Sequence, residues 1–225
     1  MLETIKLVGE RKSFGRLLGE GVKRLSEEIG AETKRFAMCV KGLELPGYDP
    51  RIMKAMALLY GTSDRGGCHL RGSTLRSELL GLPNPIDRFG YEGKAGLVAE
   101  LQKIYTLMNV FSECLFANFA LTLDDYSTAL SSLFEESITP NDLLSLGKRV
   151  WDLTRLFNMR EGFSTEDDTL PTRLFEDPIP SGPSKGQVVD RGSFESMKDE
   201  YYQIQGWDRK TGMPSLDVKK YTISK

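Results

Sequence analysis

Residues 41–71 read KGLELPGYDPRIMKAMALLYGTSDRGGCHLR, and this stretch carries the signals that decide both the fold class and the candidate site. Asp49-Pro50 is typical of a helix start, with aspartate as the cap and proline at the first helical position. We therefore expect a helix from about residue 50 to about residue 61. A glycine-rich loop then presents Cys68 and His69, and glycine allows backbone to approach a ligand closely. His69 is the only histidine in the chain.

Apolar residues at helical spacing predict helices through most of the remaining chain. Besides the helix above, the predicted helices cover residues 13–30, 91–110, 125–136, 139–160 and 193–205. Residues 36–45 are expected to be extended, and other strand signals are weak. The sequence predicts an all-α fold, an irregular helical bundle of about six helices.

Residues 164–192 are rich in proline, glycine, serine and aspartate, but apolar residues interrupt that polarity. We interpret this stretch as an ordered proline/glycine-rich arm that lies on the surface of the bundle, not as a free linker. Asp167, Asp168 and Arg173 are candidates for ion pairs that hold the arm in place.

Composition excludes several classes of protein. Apolar residues make up 40% and charged residues 28% of the chain, and the net charge is -2, with both signs interleaved. These values are ordinary for a soluble globular protein and disfavour a nucleic-acid or membrane partner. No apolar run approaches the roughly 20 residues that span a bilayer, and the first residues do not read as a signal peptide. The expected location is cytoplasmic.

The three cysteines, Cys39, Cys68 and Cys114, are odd in number and widely spaced. That pattern argues against a disulfide framework, and no CxxC pair is present to form a zinc site. On the residues alone, three buried thiols that act as small apolar groups are favoured over metal ligands.

Five sets of loop and turn residues carry a resemblance to a known family. They are KGLE with YDPR (41–51), TSDRGGCHL (62–70), NMREGF (158–163), DDTLPTR (167–173), and EYY, GWD and GMP between residues 200 and 214. In order and spacing these runs resemble the tungsten-containing aldehyde ferredoxin oxidoreductase family. The resemblance implies that residues 1–35 are a helix continuing from the family's middle helical domain. Residues 36–225 would be its C-terminal α-helical domain.

The resemblance also implies chemistry. Family members oxidise aldehydes to carboxylic acids and pass electrons to ferredoxin, using tungsten held by two pterins beside a 4Fe-4S cluster. NVFSEC (109–114) is similar to a family stretch, Asp-x-x-Gly-Leu-Cys, which makes Cys114 the fourth cluster ligand and Asn109 the counterpart of a pterin-binding aspartate. His69 matches a family histidine next to the metal, which implies hydrogen bonding to the substrate oxygen or proton transfer.

Two departures from the family stretch concern Ser112 and Glu113, which stand where the family has Gly-Leu. Glu113 adds a carboxylate beside a thiolate and an anionic cofactor, an arrangement that like charges disfavour unless the side chain points away. Asn109 keeps an amide oxygen as acceptor but loses the charge-assisted contact of an aspartate.

The family's N-terminal β-rich pterin domain and its CxxC cluster group have no counterpart in this sequence, and one cysteine cannot hold a 4Fe-4S cluster. We therefore expect the lone chain not to oxidise aldehydes. A separate polypeptide or a missing region would carry the N-terminal half, and a homodimer stays open. The alternative is a non-catalytic helical interaction module derived from the family.

The apolar stretch 110–120 is expected to be buried. In the family this face is buried against the N-terminal part, which has no counterpart in this sequence. Without that part, Phe111, Leu115, Phe116 and Phe119 would form an exposed patch suited to self-association or partner binding.

Overall fold

The computed structural model describes residues 1–215, and within them helices dominate. The α-helices are α1 (Leu2–Gly9), α2 (Phe14–Leu18), α3 (Val22–Ile29), α4 (Ala31–Lys34), α5 (Lys54–Thr62), α6 (Leu75–Glu78), α7 (Lys94–Val110), α8 (Leu123–Phe134), α9 (Pro140–Arg160), α10 (Arg173–Glu176) and α11 (Arg191–Gln205). Three 3₁₀ turns lie at His69–Arg71, Leu115–Phe119 and Thr165–Asp167. The strands β1 (Cys39–Val40) and β2 (Leu43–Glu44) form a two-stranded sheet. The all-α class is confirmed.

The expected extended piece at residues 36–45 is a minimal hairpin. β1 and β2 pair antiparallel, with Val40 opposite Leu43. Lys41 and Gly42 connect them, and both have positive φ, at 49° and 83°. A two-residue connection with two positive φ angles matches the twist of the strands, although lysine adopts that conformation less readily than glycine.

The centre of the core is α5, a short helix whose residues are all buried. Its run from Ala55 to Tyr60 is apolar on every side, so the helix must be enclosed by other elements. It contacts α7 and α11, and α7 packs in turn along α9. Phe194, Tyr201 and Trp207 complete this core.

The predicted start of α5 is wrong by several residues. The helix begins at Lys54, and Asp49 does not cap it. The Asp49 carboxylate instead binds its neighbour Arg51, with Arg51 Nη2 at 2.6 Å. The cap comes from a distant residue: the buried carboxylate of Glu78 accepts hydrogen bonds from the backbone N–H groups of Ala55 and Met56, at 2.9 and 3.2 Å. An anion at this end also complements the helix dipole.

The predicted single helix over residues 13–30 is also wrong, because it is broken into α2 and α3. The first piece ends at Leu18 with Gly19 as its C-cap, and Gly21, with φ of +88°, precedes the second piece. Gly15 explains why α2 turns away: a Cβ there would lie 2.2 Å from the backbone carbon of Leu7, so α1 and α2 pack backbone to backbone. Glycine is required for so close an approach.

Two helix starts follow the sequence signals closely. The hydroxyls of Thr122 and Thr139 each accept a hydrogen bond from the backbone N–H three residues on, and the carboxylates there, of Asp125 and Asp142, each accept one from the threonine N–H. These capping boxes satisfy donors that a helix start leaves free. Pro140 occupies the first turn of α9, as expected.

The arm at residues 164–192 is ordered, but it does not merely lie on a surface. Leu170, Leu174 and Val189 are buried in the main core. Arg173 pairs with Asp177, with Nε at 2.6 Å from the carboxylate. The arm is therefore a structural layer of the bundle, which the polar composition of its sequence obscured.

Asp168, at the middle of the arm, is fully buried and forms the largest ionic cluster of the core. Lys41 Nζ lies 2.7 Å and Arg155 Nη2 2.8 Å from its two oxygens, and the Tyr202 hydroxyl donates to the same carboxylate. We call these four residues the Asp168 cluster. It joins the hairpin, α9, the arm and α11, and Lys41 also donates to the Gly61 carbonyl at the end of α5, at 2.6 Å.

The last described residues fold back on α11. Trp207 forms a bridge with Pro214, and Gly206 and Gly212 both have positive φ. The expected polar tail lies at residues 216–225, outside the described residues. Among residues 1–215, no helix is both long and apolar enough to cross a membrane.

We expect Asp168→Asn to lower the free energy of unfolding by about 3–5 kcal/mol, because Lys41 and Arg155 would stay buried without an anion. Urea denaturation followed by circular dichroism measures this. Asp199→Asn removes an exposed carboxylate from α11 and is the matched control, with an expected change within about 0.5 kcal/mol. Equal losses in the two variants would contradict the cluster's role.

Candidate functional site

The glycine-rich loop lies against the chain's own hairpin. The Gly67 N–H donates to the Val40 carbonyl at 3.3 Å. A Cβ on Gly66 would lie 2.1 Å from that carbonyl oxygen, and Gly66 has φ of +94°. These contacts give the two glycines a structural role, because they let the loop approach the hairpin backbone closely.

His69 begins the 3₁₀ turn that follows this loop and is half-buried. Its ring meets the ring of Tyr48 edge-on, with centroids 5.0 Å apart. Partial burial, followed by the positive charge of Arg65, lowers the pKa of His69 from its ordinary value of 6.5. At neutral pH the imidazole is therefore uncharged and offers one acceptor and one donor nitrogen.

Cys68 lies directly beneath this turn, as expected for a residue that packs under the loop, and is 3% exposed. Its sulfur accepts hydrogen bonds from the Leu70 N–H at 3.3 Å and from Arg65 Nε at 3.1 Å.

Asp64 and Arg71 flank the turn and form an ion pair, with Arg71 Nε 3.3 Å from the carboxylate. Burial raises the pKa of Asp64, while the charges of Arg71 and Arg65 oppose that rise. The amide of Asn158, on α9, donates to the Asp64 carbonyl at 2.5 Å. Neither partner of this pair was predicted from the sequence, although Asp64 lies within the TSDRGGCHL run and Arg71 directly follows it.

Asn109 and Cys114 lie at and just after the C-terminal end of α7, and both are exposed. The Asn109 amide nitrogen donates to the Tyr105 carbonyl at 2.6 Å, which leaves its amide oxygen free to accept. Cys114 is a free thiol that precedes the 3₁₀ turn Leu115–Phe119.

The two departures next to Cys114 have local explanations. Ser112 adopts a positive φ of 56°, the conformation that glycine takes without strain. The Glu113 carboxylate accepts a hydrogen bond from the Tyr126 hydroxyl of α8. The Glu113 carboxylate is therefore held by a residue of α8.

The segments that carry His69 and Cys114 are linked through Arg76 of α6. Arg76 Nη1 donates to the Asn118 carbonyl at 2.6 Å, and the guanidinium lies 5.2 Å from the ring centre of Phe119. A groove of about 380 Å³ lies between α6, α7 and the chain after Cys114. Its apolar lining includes Leu97, Leu101, Ile104, Tyr105, Phe119 and Leu121.

The stretch 110–120 is not buried, contrary to the expectation from its apolar composition. Val110, Phe116 and Phe119 are 45%, 78% and 50% exposed. Only part of the stretch finds a partner, since Phe111 stacks on Tyr126 at a centroid distance of 5.7 Å. Of the four residues expected to form an exposed patch, Phe116 and Phe119 are exposed, whereas Phe111 and Leu115 are half-buried and pack against the cluster of Leu107 and Met108.

Cys39 is half-buried in β1, and burial, followed by the nearby Glu44 carboxylate, raises the pKa of its thiol. It is accordingly a weak nucleophile and a poor ligand. Within residues 1–215, no group of three or more histidine, cysteine, aspartate or glutamate side chains is arranged to hold a metal ion.

Comparison with known proteins gives consistent results. The family model for domains 2 and 3 of aldehyde ferredoxin oxidoreductase matches residues 1–220. The tungsten-containing aldehyde ferredoxin oxidoreductase of Pyrococcus furiosus is 36% identical over 98% of this chain, and that of Pyrococcus abyssi is 36% identical over 96%. The chain spans only 36% and 35% of the lengths of these relatives.

Among solved structures, the active-site complex BamBC of benzoyl coenzyme A reductase, with 1,5-dienoyl-CoA, has the same fold. The TM-score is 0.69, and the match covers 99% of this chain and 40% of that chain. Sequence identity is 15%, so the likeness extends to the fold alone.

We expect His69 to titrate below 6.5 in the folded chain and near 6.5 in urea. Between these two values the unfolded chain binds more protons, so stability rises as the pH rises through this window, and below it the contribution of His69 is lost. Proton NMR follows the titration without ambiguity, because His69 is the only histidine. A midpoint at or above 6.5 in the folded chain would be inconsistent with this environment.

We expect Ser112→Gly to raise the free energy of unfolding by about 0.5–1 kcal/mol, because it relieves a left-handed residue. Ser132→Gly, an exposed serine within α8, is the control and is expected to lose about 0.5 kcal/mol. Thermal unfolding measures both. A loss in Ser112→Gly as large as that in the control would show that the positive φ carries no strain.

Proposed function

The chain belongs to the aldehyde ferredoxin oxidoreductase family, and from that premise we propose that it is the helical part of a tungstopterin, iron–sulfur enzyme. That enzyme oxidises aldehydes to carboxylic acids with ferredoxin as the electron acceptor. The observation that carries the proposal is the family match over residues 1–220, together with the accessibility of the matched side chains His69, Asn109 and Cys114.

Cys114 fits one ligand position of a 4Fe-4S cluster. Its thiol is free and exposed. The part of the chain that the structure describes offers no further group of metal ligands, so three ligands of the cluster would come from other residues of the assembled enzyme. The binding of Glu113 to Tyr126 supports this role, because it removes a competing carboxylate from the thiol.

Asn109 fits a pterin contact. Because its amide nitrogen already donates to the Tyr105 carbonyl, its oxygen is oriented to accept a hydrogen bond from an amine. A neutral acceptor gives a weaker contact than the family's aspartate, so Asn109 orients the pterin more than it anchors it.

When bound, the tungsten–pterin centre supplies the two-electron oxidation, and the cluster supplies one-electron transfer to ferredoxin. His69 takes part in proton transfer or hydrogen bonding to the substrate. As an uncharged imidazole it accepts a proton from the water that adds to the aldehyde carbonyl, or donates a hydrogen bond to the oxygen that gains charge. Its lowered pKa keeps this base available at neutral pH.

The groove between α6, α7 and the chain after Cys114 fits one wall of an apolar entry channel for the aldehyde. An apolar wall with a few polar groups is typical of small-molecule sites, and Arg76, Ser77 and Glu100 are among those groups here. The exposed patch at Val110, Phe116 and Phe119 supports a role as contact surface for the rest of the enzyme.

In the complete enzyme we expect His69→Gln to lower kcat/KM for an aldehyde by about 10²–10⁴-fold, the usual loss of a general base. Tungsten content, measured by mass spectrometry on the same samples, is expected to stay unchanged. Gln187→Ala, in the arm, is a control expected to keep full activity. Unchanged turnover with tungsten bound would remove His69 from the mechanism.

We expect Cys114→Ser to lose most of the cluster iron and its electron paramagnetic resonance signal, because a neutral hydroxyl is a poor cluster ligand. Cys39→Ser changes a half-buried thiol elsewhere and is the matched control, with iron retained. Iron content that falls equally in both variants, or in neither, would contradict the assignment of Cys114.

A further inference from the structure

The turn His69–Arg71 is only one turn long, so its geometry depends on the groups that hold its two ends. Its first residue carries the imidazole. At its far end, the Asp64–Arg71 ion pair and the Asn158 contact attach it to α9. At its near end, the only side-chain cap is the Cys68 sulfur, which accepts from the Leu70 N–H.

We infer that Cys68 is a positioning residue for His69. Its sulfur receives a second hydrogen bond from the Arg65 Nε, so one atom joins the backbone of the turn to the guanidinium. Two N–H donors on one buried sulfur fix the direction in which the turn leaves the loop. Without an acceptor at this atom, the Leu70 N–H loses its partner, and Arg65 loses its anchor beside the ring.

The consequence falls on the imidazole ring. On one side it rests edge-on against Tyr48. The backbone of Tyr48 is itself held, because its carbonyl accepts from the buried Tyr60 hydroxyl at 3.2 Å. The charged group that acts on the ring is Arg65, whose charge opposes protonation. The ring therefore has a fixed contact on one side, the Tyr48 ring. Its orientation depends on the turn that the Cys68 sulfur caps.

This inference concerns geometry that is present in the chain itself. Only its consequence for catalysis rests on the proposed function. A sulfur acceptor at residue 68 is replaceable by a hydroxyl, because serine is a favoured cap at such a turn and its oxygen accepts the same two donors. Alanine lacks the sulfur atom and offers no acceptor.

The test is proton NMR of the full chain in three variants: Cys68→Ala, Cys68→Ser and, as control, Cys39→Ala. In Cys68→Ala we expect loss of the nuclear Overhauser contact between the His69 and Tyr48 rings and a His69 pKa that moves up towards 6.5. Cys68→Ser and Cys39→Ala are expected to keep both signals. In the complete enzyme, Cys68→Ala would lower kcat by about 10–100-fold, with serine restoring it.

A folded Cys68→Ala variant that keeps the ring contact and the lowered His69 pKa would overturn the inference. Where Cys68→Ala does not fold, Arg65→Met decides in its place, since Arg65 is exposed. We expect the ring contact to weaken in that variant, and its persistence would equally overturn the inference. An enzyme without aldehyde oxidation but with the predicted NMR changes would refute the proposed function alone.

Discussion

The fold depends on one buried carboxylate. Asp168 has no exposed surface and holds Lys41, Arg155 and Tyr202 from three other parts of the chain. Burial lowers the pKa of Lys41, and the Asp168 charge opposes that shift. The attraction between the opposite charges therefore offsets part of the cost of burying each of them. Through these contacts the arm, which has little helix of its own, becomes the element that fixes the hairpin against α9 and α11.

The position of the candidate site depends on the Asp168 cluster. Lys41 lies in the hairpin connection and also holds the Gly61 carbonyl at the end of α5. The glycine-rich loop rests on the same hairpin at Val40, and the His69 turn follows that loop. The Asp168 cluster therefore determines where the hairpin lies, and the hairpin determines where the imidazole lies.

The sequence predicted best those helix starts that depend only on neighbouring residues. The capping boxes at Thr122 and Thr139 are complete within four residues, and both helices begin there. The failures are non-local: Glu78, not Asp49, caps α5, and the composition of the arm gave no sign that Asp168 is fully buried. For the site, the family resemblance identified His69, Asn109 and Cys114. The hydrogen bonds of Cys68 and Glu113 and the positive φ of Ser112 depend on the folded structure and could not be predicted from the sequence.

The central claim is that this chain is the helical part of a tungsten and iron–sulfur enzyme. The most direct measurement is the metal and pterin content of the protein purified without oxygen from its native host. The account predicts tungsten, pterin and about four iron atoms per chain, in material that contains the rest of the family fold. Native protein that is pure and carries neither iron nor tungsten would contradict it, and would favour a helical binding module that has kept the fold without the chemistry.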